Sequence, residues 1–251
     1  MGKRHDAIGI KQVVRPEWYD YALDMLLDHR RPPEIRRELD GFIGERLQRG
    51  GYGQRGEQTY AKAVTQIMKS WVSPDRELIP FRDRVLLHAG NHPREDRIVL
   101  HWIVTIAAYP FWHRVAEQVG RLLNLQDSIT QGQIRLRCFE AMGERSTVER
   151  SARRVIRSFV AWKALRDSGG SGCYEKMEPP QRVDNDLAVL MLEASLHAIP
   201  QGRASMDHLM NNPALFPFRL PPMADDFVSC RSENLEVARY GPNDAMLKLK
   251  G

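Results

Sequence analysis

Apolar residues recur at spacings of three and four over the first 80 positions, the period of helices with one buried face. A first helix begins at Pro16, where a first-turn proline is tolerated, and carries Trp18, Tyr19, Leu23, Leu26 and Leu27. A second runs from near Pro33 to about Gln48 with Ile35, Leu39, Phe42, Ile43 and Leu47 on one stripe, and the Gly-rich stretch Gly50 to Gly56 ends it. A third carries Tyr60, Val64, Ile67, Met68 and Trp71 and stops at Ser73-Pro74, since proline removes a donor and disfavours helix in the residue before it. Short connections between three such helices predict a small bundle.

From Ile98 the pattern becomes apolar on every side, breaks near Pro110, and continues with Phe111, Val115, Val119, Leu122 and Leu123 inward. The extended piece Ser128-Ile129-Thr130 follows. Thr130 is placed to cap a helix over Gln131 to Met142, with Gly143 as its C-terminal stop. The next helix starts at Ser146 or Thr147, buries Val148, Ala152, Val155, Ile156, Phe159, Val160 and Trp162, and is expected to end near Leu165. Leu165 to Asp167 and Cys173 to Met177 flank Ser168 to Gly172, a hairpin signal. Helix, extended piece, two helices and hairpin in that order predict a winged helix-turn-helix. Beyond Val183 the pattern gives a helix over Leu187 to His197, a short one over Met206 to Met210, a Pro-rich irregular stretch, and two short strands with Leu235, Val237, Leu247 and Leu249 on one side. The expected fold is mainly α, with a helical N-terminal region over 1–95, a winged helix-turn-helix over 96–183 and a small α+β part over 184–251.

Composition narrows the class. The 251 residues are 42% hydrophobic and 27% charged, as in a globular protein and unlike a disordered one. Cys138, Cys173 and Cys230 are odd in number and scattered, which excludes a disulfide framework or a four-cysteine zinc site and suits a reducing, cytoplasmic setting. The first residues lack the apolar run of a secretory signal, and the longest apolar run, Ile98 to Trp112, falls short of the roughly 20 residues that a membrane span requires.

Charge points to a partner. Lys and Arg number 37 against 32 Asp and Glu, a net +5, yet Gln131 to Arg166 alone holds nine basic and three acidic residues, a net +6. With the apolar stripe of the second helix turned inward, Arg150, Arg153, Arg154 and Arg157 lie outward, joined by Thr147 at its start and by Arg135 and Arg137 on the helix before. Arg166 and Lys176 flank the wing and Ser171 sits at its tip. Such a basic ridge suits duplex DNA, since guanidinium forks contact guanine edges and phosphates and release counterions. Docking onto other proteins of a complex and RNA binding are the alternatives. A second basic cluster, Arg30, Arg31, Arg36 and Arg37, is interleaved with Asp24, Asp28, Glu34, Glu38 and Asp40 and reads as ion-paired helix faces.

Other motifs offer little chemistry. Gly51, Gly53 and Gly56 match a dinucleotide fingerprint by spacing, but a helix and not a strand precedes them, so they read as a connector. His88 and His92 are four apart, yet Gly90 and Pro93 argue against a regular helix there and no third metal ligand stands out. His101, His113 and His197 read as core or boundary histidines. Without a Walker sequence, nucleophile elbow or zinc spacing, the expectation is a non-enzyme with no cofactor.

The stretches IVLHWIVTIAAYPFWHRVAEQVGRLLNLQ, VERSARRVIRSFVAWKAL, PALFPF and LEVARYG resemble the small BrxA-type proteins of bacterial BREX phage-resistance systems, over most of the chain. The resemblance implies a non-enzymatic, mainly helical DNA-binding accessory protein working beside other defence proteins. It also implies a likeness to the all-helical RNA-binding antiterminator NusB. It offers no motif from which a functional residue can be carried over.

Overall fold

A computed structural model describes residues 4–49, 58–90, 92–241 and 244–250. The fingerprint-like glycines Gly51, Gly53 and Gly56 lie outside these residues.

The chain is mostly helical with small sheets. The first three helices are α1 (Pro16–Leu27), α2 (Pro32–Arg49) and α3 (Gln58–Ile67), the last extended by a wider π-helical turn over Met68–Val72. After a short 3-10 turn come α4 (Ile79–Ala89), α5 (Ile98–Ala108) and α6 (Pro110–Leu123). Then follow β1 (Ser128–Thr130), α7 (Gln131–Met142), α8 (Ser146–Ala161), β2 (Leu165–Asp167) and β3 (Cys173–Lys176). The remainder is β4 (Gln181–Arg182), α9 (Asn185–Ala198), β5 (Arg203–Ser205), α10 (Met206–Met210), β6 (Phe218–Arg219), α11 (Asp225–Arg231), β7 (Leu235–Gly241) and β8 (Asp244–Leu249).

The centre is α5, buried from Val99 to Ala108. A helix that is apolar all round has no solvent face and must be enclosed, here by α9, α4, α6 and α1. It ends at Tyr109, held out of the helical region by Pro110, which in turn opens α6 with its missing N–H at a position that needs no donor. Trp102 of α5 lies flat on Phe159 of α8 at 5.0 Å, and Trp112 of α6 meets Phe159 edge-on at 5.2 Å. An N-terminal segment with Ile10 and Val14 in the core is pinned by the buried Gln66, whose Oε1 accepts from Lys11 N–H at 2.8 Å and Gln12 N–H at 2.9 Å. Val14 N–H donates to Ser158 Oγ at 3.0 Å and its carbonyl accepts from Trp162 Nε1 at 3.1 Å, which ties this segment to the end of α8. One core therefore runs through all three stretches of the chain. A smaller cluster of Val189, Leu192, Leu196, Leu209, Val228, Leu235 and Leu247 lies on the other side of α9.

Three sheets are small. β1 and β2 pair antiparallel with β3 between them, with Thr130 opposite Cys173 and Leu165 opposite Lys176. β4 and β6 pair parallel. β8 lies between β5 and β7, and the register sets Leu235 against Leu249 and Val237 against Leu247, the four residues that the alternation placed on one side.

Several expectations are corrected. α8 stops at Ala161 and not near Leu165: Lys163 takes a left-handed φ of 56° and Ala164 N–H turns back to Phe159 O, which frees Leu165 to begin β2 fully buried. His88 does lie in a regular helix, the last turn of α4; His92 follows it and its Nδ1 lies 2.7 Å from His88 O. α4, α11 and β5 were not legible. Asp24 belongs to no pair with its neighbouring arginines; it binds Arg94 and Arg97.

Two buried histidines have fixed tautomers. Trp71 Nε1 can only donate, so His101 Nδ1 accepts at 3.1 Å and His101 Nε2–H faces Asp20 Oδ1 at 3.0 Å. Asn212 Oδ1 accepts from Ala214 N–H, so its amide nitrogen faces His113 Nε2 at 3.1 Å. Burial pushes the pKa of His101 below its usual value of 6.5 despite Asp20, and that of His113 to about 4. The folded state thus keeps both rings neutral while the unfolded chain takes up protons as the pH falls below 6.5. Stability is fully present above that pH and declines below it, by about 2 kcal/mol at pH 5 from His113 alone. Urea denaturation at pH 7 and pH 5 checks this; equal stability at both would contradict it.

The approach of residues 213–215 to α6 depends on Gly120, where a Cβ would lie 1.9 Å from Pro213 O. Gly120→Ala forces a backbone shift and should cost about 3 kcal/mol, seen as a lowered melting temperature, although alanine favours helix.

Candidate nucleic-acid interface

The local sequence fixes how α7 and α8 stand. At the start of α7, Thr130 Oγ1 accepts from Gln133 N–H at 3.2 Å while Gln133 Oε1 accepts from Thr130 N–H at 2.8 Å, a reciprocal capping box. Gly143 ends α7 at φ 85°, a value costly for any residue with a Cβ. α8 then buries Val148, Ala152, Val155, Ile156 and Phe159. With that stripe committed inward, Thr147, Arg150, Arg153 and Arg157 are exposed and Arg154 is half-buried beside them. Arg135 and Arg137 are exposed on α7. The β2–β3 loop is held at its base by Ser168 N–H to Cys173 O at 3.0 Å and by Gln131 N–H to Gly172 O at 2.7 Å, which leaves Ser171 exposed at the tip.

The structure sorts the predicted basic residues into two groups. Arg137 pairs with Glu140 at 3.4 Å, Arg153 with Glu149 at 3.6 Å, Arg157 with Asp167 at 2.7 Å, Arg166 with Glu175 at 2.6 Å and Lys176 with Glu178 at 3.4 Å. Arg166 and Glu175 are direct cross-strand neighbours. Arg157 ties α8 to β2. Burial opposes its charge, but the hydrogen bond and charge of Asp167 outweigh that and hold its pKa above the ordinary value.

Arg135, Arg150 and Arg154 make no ion pair among the described residues. Arg135 lies 5.5 Å from the centre of the Phe139 ring, and Arg150 Nε donates to Ser146 O at 3.3 Å. Arg154 has its pKa lowered by burial and then by the charge of Arg150, one turn away. The acids that sequence counting missed lie just past its window: over 131–178 there are ten basic and six acidic residues, so the net falls to +4.

Elsewhere, the N-terminal basic cluster shows one of the expected pairs, Arg31 to Glu34 at 2.5 Å. Among the described residues no group of three His, Cys, Asp or Glu side chains could hold a metal, and no helix is long and apolar enough to cross a membrane. A second constellation escaped sequence reasoning. Glu193 of α9, only 1% exposed, binds Arg84 and lies 3.7 Å from His197 Nε2 and 3.4 Å from Ser232 Oγ. Burial opposes its charge, yet His197 and Arg84 hold its carboxyl below the usual range. It lines a cavity of about 470 Å³ with His5, Phe81 and Asn234. Its only trace in sequence is a lone glutamate in an apolar helix, four residues before a histidine.

No protein-family model, curated protein or solved structure matches the chain.

The capping box gives a direct test of how α7 is held. Thr130→Ala removes the side-chain acceptor and should lower stability by about 1 kcal/mol in urea titration, with the helical circular dichroism signal of the folded state nearly unchanged.

Proposed function

We propose that residues 128–176 form a winged helix-turn-helix that binds duplex DNA, with α8 in the major groove and the β2–β3 loop as its wing. The protein would be a cytoplasmic, non-enzymatic accessory of a phage-resistance system, as the resemblance to BrxA-type proteins implies. The observation that carries this reading is the pair Arg150 and Arg154. They sit one turn apart on the outward side of α8, repel each other, and have no carboxylate partner among the described residues. A polyanion would relieve that repulsion. Support also comes from the order of β1, α7, α8, β2 and β3 and from the pairing of β3 between β1 and β2.

In this reading Arg150 and Arg154 supply guanidinium forks to phosphates or guanine edges, and Thr147 faces the groove at the start of the helix. Arg137, Arg153, Arg157 and Arg166 enter by exchanging carboxylates for phosphates. That exchange is cheap because exposed ion pairs contribute about 0 to 1 kcal/mol each. Arg135 and Lys176 approach the backbone on either side, and Ser171 lies where the wing would meet the adjacent groove.

The double variant Arg150→Glu/Arg154→Glu should abolish a duplex gel shift while the thermal melt stays nearly unchanged, since neither side chain makes an ion pair among the described residues. Binding by the unaltered chain should weaken steeply with salt, and replacing the two arginines by glutamine should flatten that slope by about two. Retained duplex binding by the folded double variant overturns the reading, and preferential competition by RNA reassigns the surface.

A further inference from the structure

Below the turn between α7 and α8 lies a pocket of about 160 Å³ walled by Asp6, Ile8, Phe111, Arg114, Met142, Arg145 and Val148. Two guanidinium groups share it. Arg114 of α6 donates from Nη2 to the His5 carbonyl at 2.7 Å, but its Nε is buried with no acceptor. Arg145 donates to Met142 O at 2.9 Å. Neither arginine makes an ion pair among the described residues. The carboxylate nearest in the lining, Asp6, is exposed and stands beyond ion-pair distance. Burial holds the pKa of Arg114 below its ordinary value; the charge of Asp6 opposes this, and the charge of Arg145 adds to it. A small partly open space with two cations and one carboxylate beyond ion-pair distance lacks an acceptor-rich anion. The remaining lining, Ile8, Phe111, Met142 and Val148, is apolar and offers no competing acceptor from its side chains.

We propose that this pocket binds a phosphate group, through Arg114 and Arg145. A tetrahedral oxyanion offers acceptors to both guanidinium forks at once, which a chloride or a single carbonyl does not. The pocket adjoins the first turn of α8, so the phosphate is either a backbone phosphodiester of bound duplex or a free phosphate. The first source rests on the DNA reading above; the second does not.

The test is calorimetric titration of the full chain with inorganic phosphate at low salt, with chloride as the control, beside duplex binding measured across a salt series. Arg145→Gln changes an exposed side chain without touching the His5 anchor and should weaken phosphate binding by about tenfold or more. Asp6→Asn removes the opposing charge and should tighten it. Arg150→Glu/Arg154→Glu should leave phosphate affinity unchanged even where duplex binding is lost. A salt slope for duplex that flattens by about one in Arg145→Gln identifies the DNA backbone as the source. Phosphate binding lost in Arg145→Gln with an unchanged duplex slope identifies free phosphate. Phosphate binding in a chain that ignores duplex upholds the pocket and removes the DNA reading. No saturable phosphate binding together with an unchanged duplex slope overturns the pocket alone.

Discussion

The enclosure of Trp102 and Phe159 in one aromatic cluster is the contact on which the orientation of the basic helix depends. Trp102 belongs to α5, which has no polar side to show to water, so whatever covers it must bring apolar surface. Phe159 of α8 does so at 5.0 Å, and Trp112, Trp162 and Phe216 close around the pair. Each large aromatic buried this way contributes on the order of 2 to 3 kcal/mol. Turning α8 about its axis would expose Val148, Val155 and Phe159 and bury Arg150 unpaired, a loss on both counts. The outward arginines are thus a consequence of inward packing.

The polar groups inside that core bind distant parts of the chain together. Gln66 holds the N-terminal segment, Ser158 and Trp162 anchor Val14, His101 joins α5 to α1 and to the π-helical turn, and Asn212 joins the C-terminal part to His113. Each is a donor matched to an acceptor whose alternative would be an unsatisfied group in low dielectric, costing about 1 to 3 kcal/mol. Such matches add specificity as well as stability, because a slipped packing would leave them unmade. They also make the fold sensitive to acid: a proton on His101 Nδ1 breaks a bond that the donor-only Trp71 cannot re-form, and one on His113 Nε2 opposes the Asn212 amide nitrogen, whose oxygen is already held by Ala214 N–H.

What the sequence revealed was what short-range chemistry decides. The limits of α7 are readable because Thr130 and Gly143 act within a turn of each end, and the shared face of Leu235, Val237, Leu247 and Leu249 follows from alternation, while their pairing is set by the turn between the strands. α4 was missed because its amphipathic signal is weak: it buries Phe81, Val85 and Ala89 while Leu87 stands 77% exposed. The docking of Val14 on α8 and the meeting of Arg84 with Glu193 join residues more than 100 positions apart, and no local pattern encodes them. Glu140 and Glu149 temper the charge excess within Gln131 to Arg166, and Asp167, Glu175 and Glu178 just beyond it lower it further.

That last point changes what the basic surface is. A uniformly positive ridge would attract any polyanion and lose it as readily with salt. Here most of the cations are held by carboxylates on exposed pairs, Arg153 by Glu149, Arg157 by Asp167 and Arg166 by Glu175. Those acids make long-range attraction weaker than the count of arginines suggests. An approaching phosphate must compete with a carboxylate at these positions but not at Arg150 or Arg154. In the proposed reading affinity would be weighted toward the middle of α8, and the paired arginines would respond to the shape of a partner that reaches them, because an exchange of near-equal charges is decided by geometry more than by attraction.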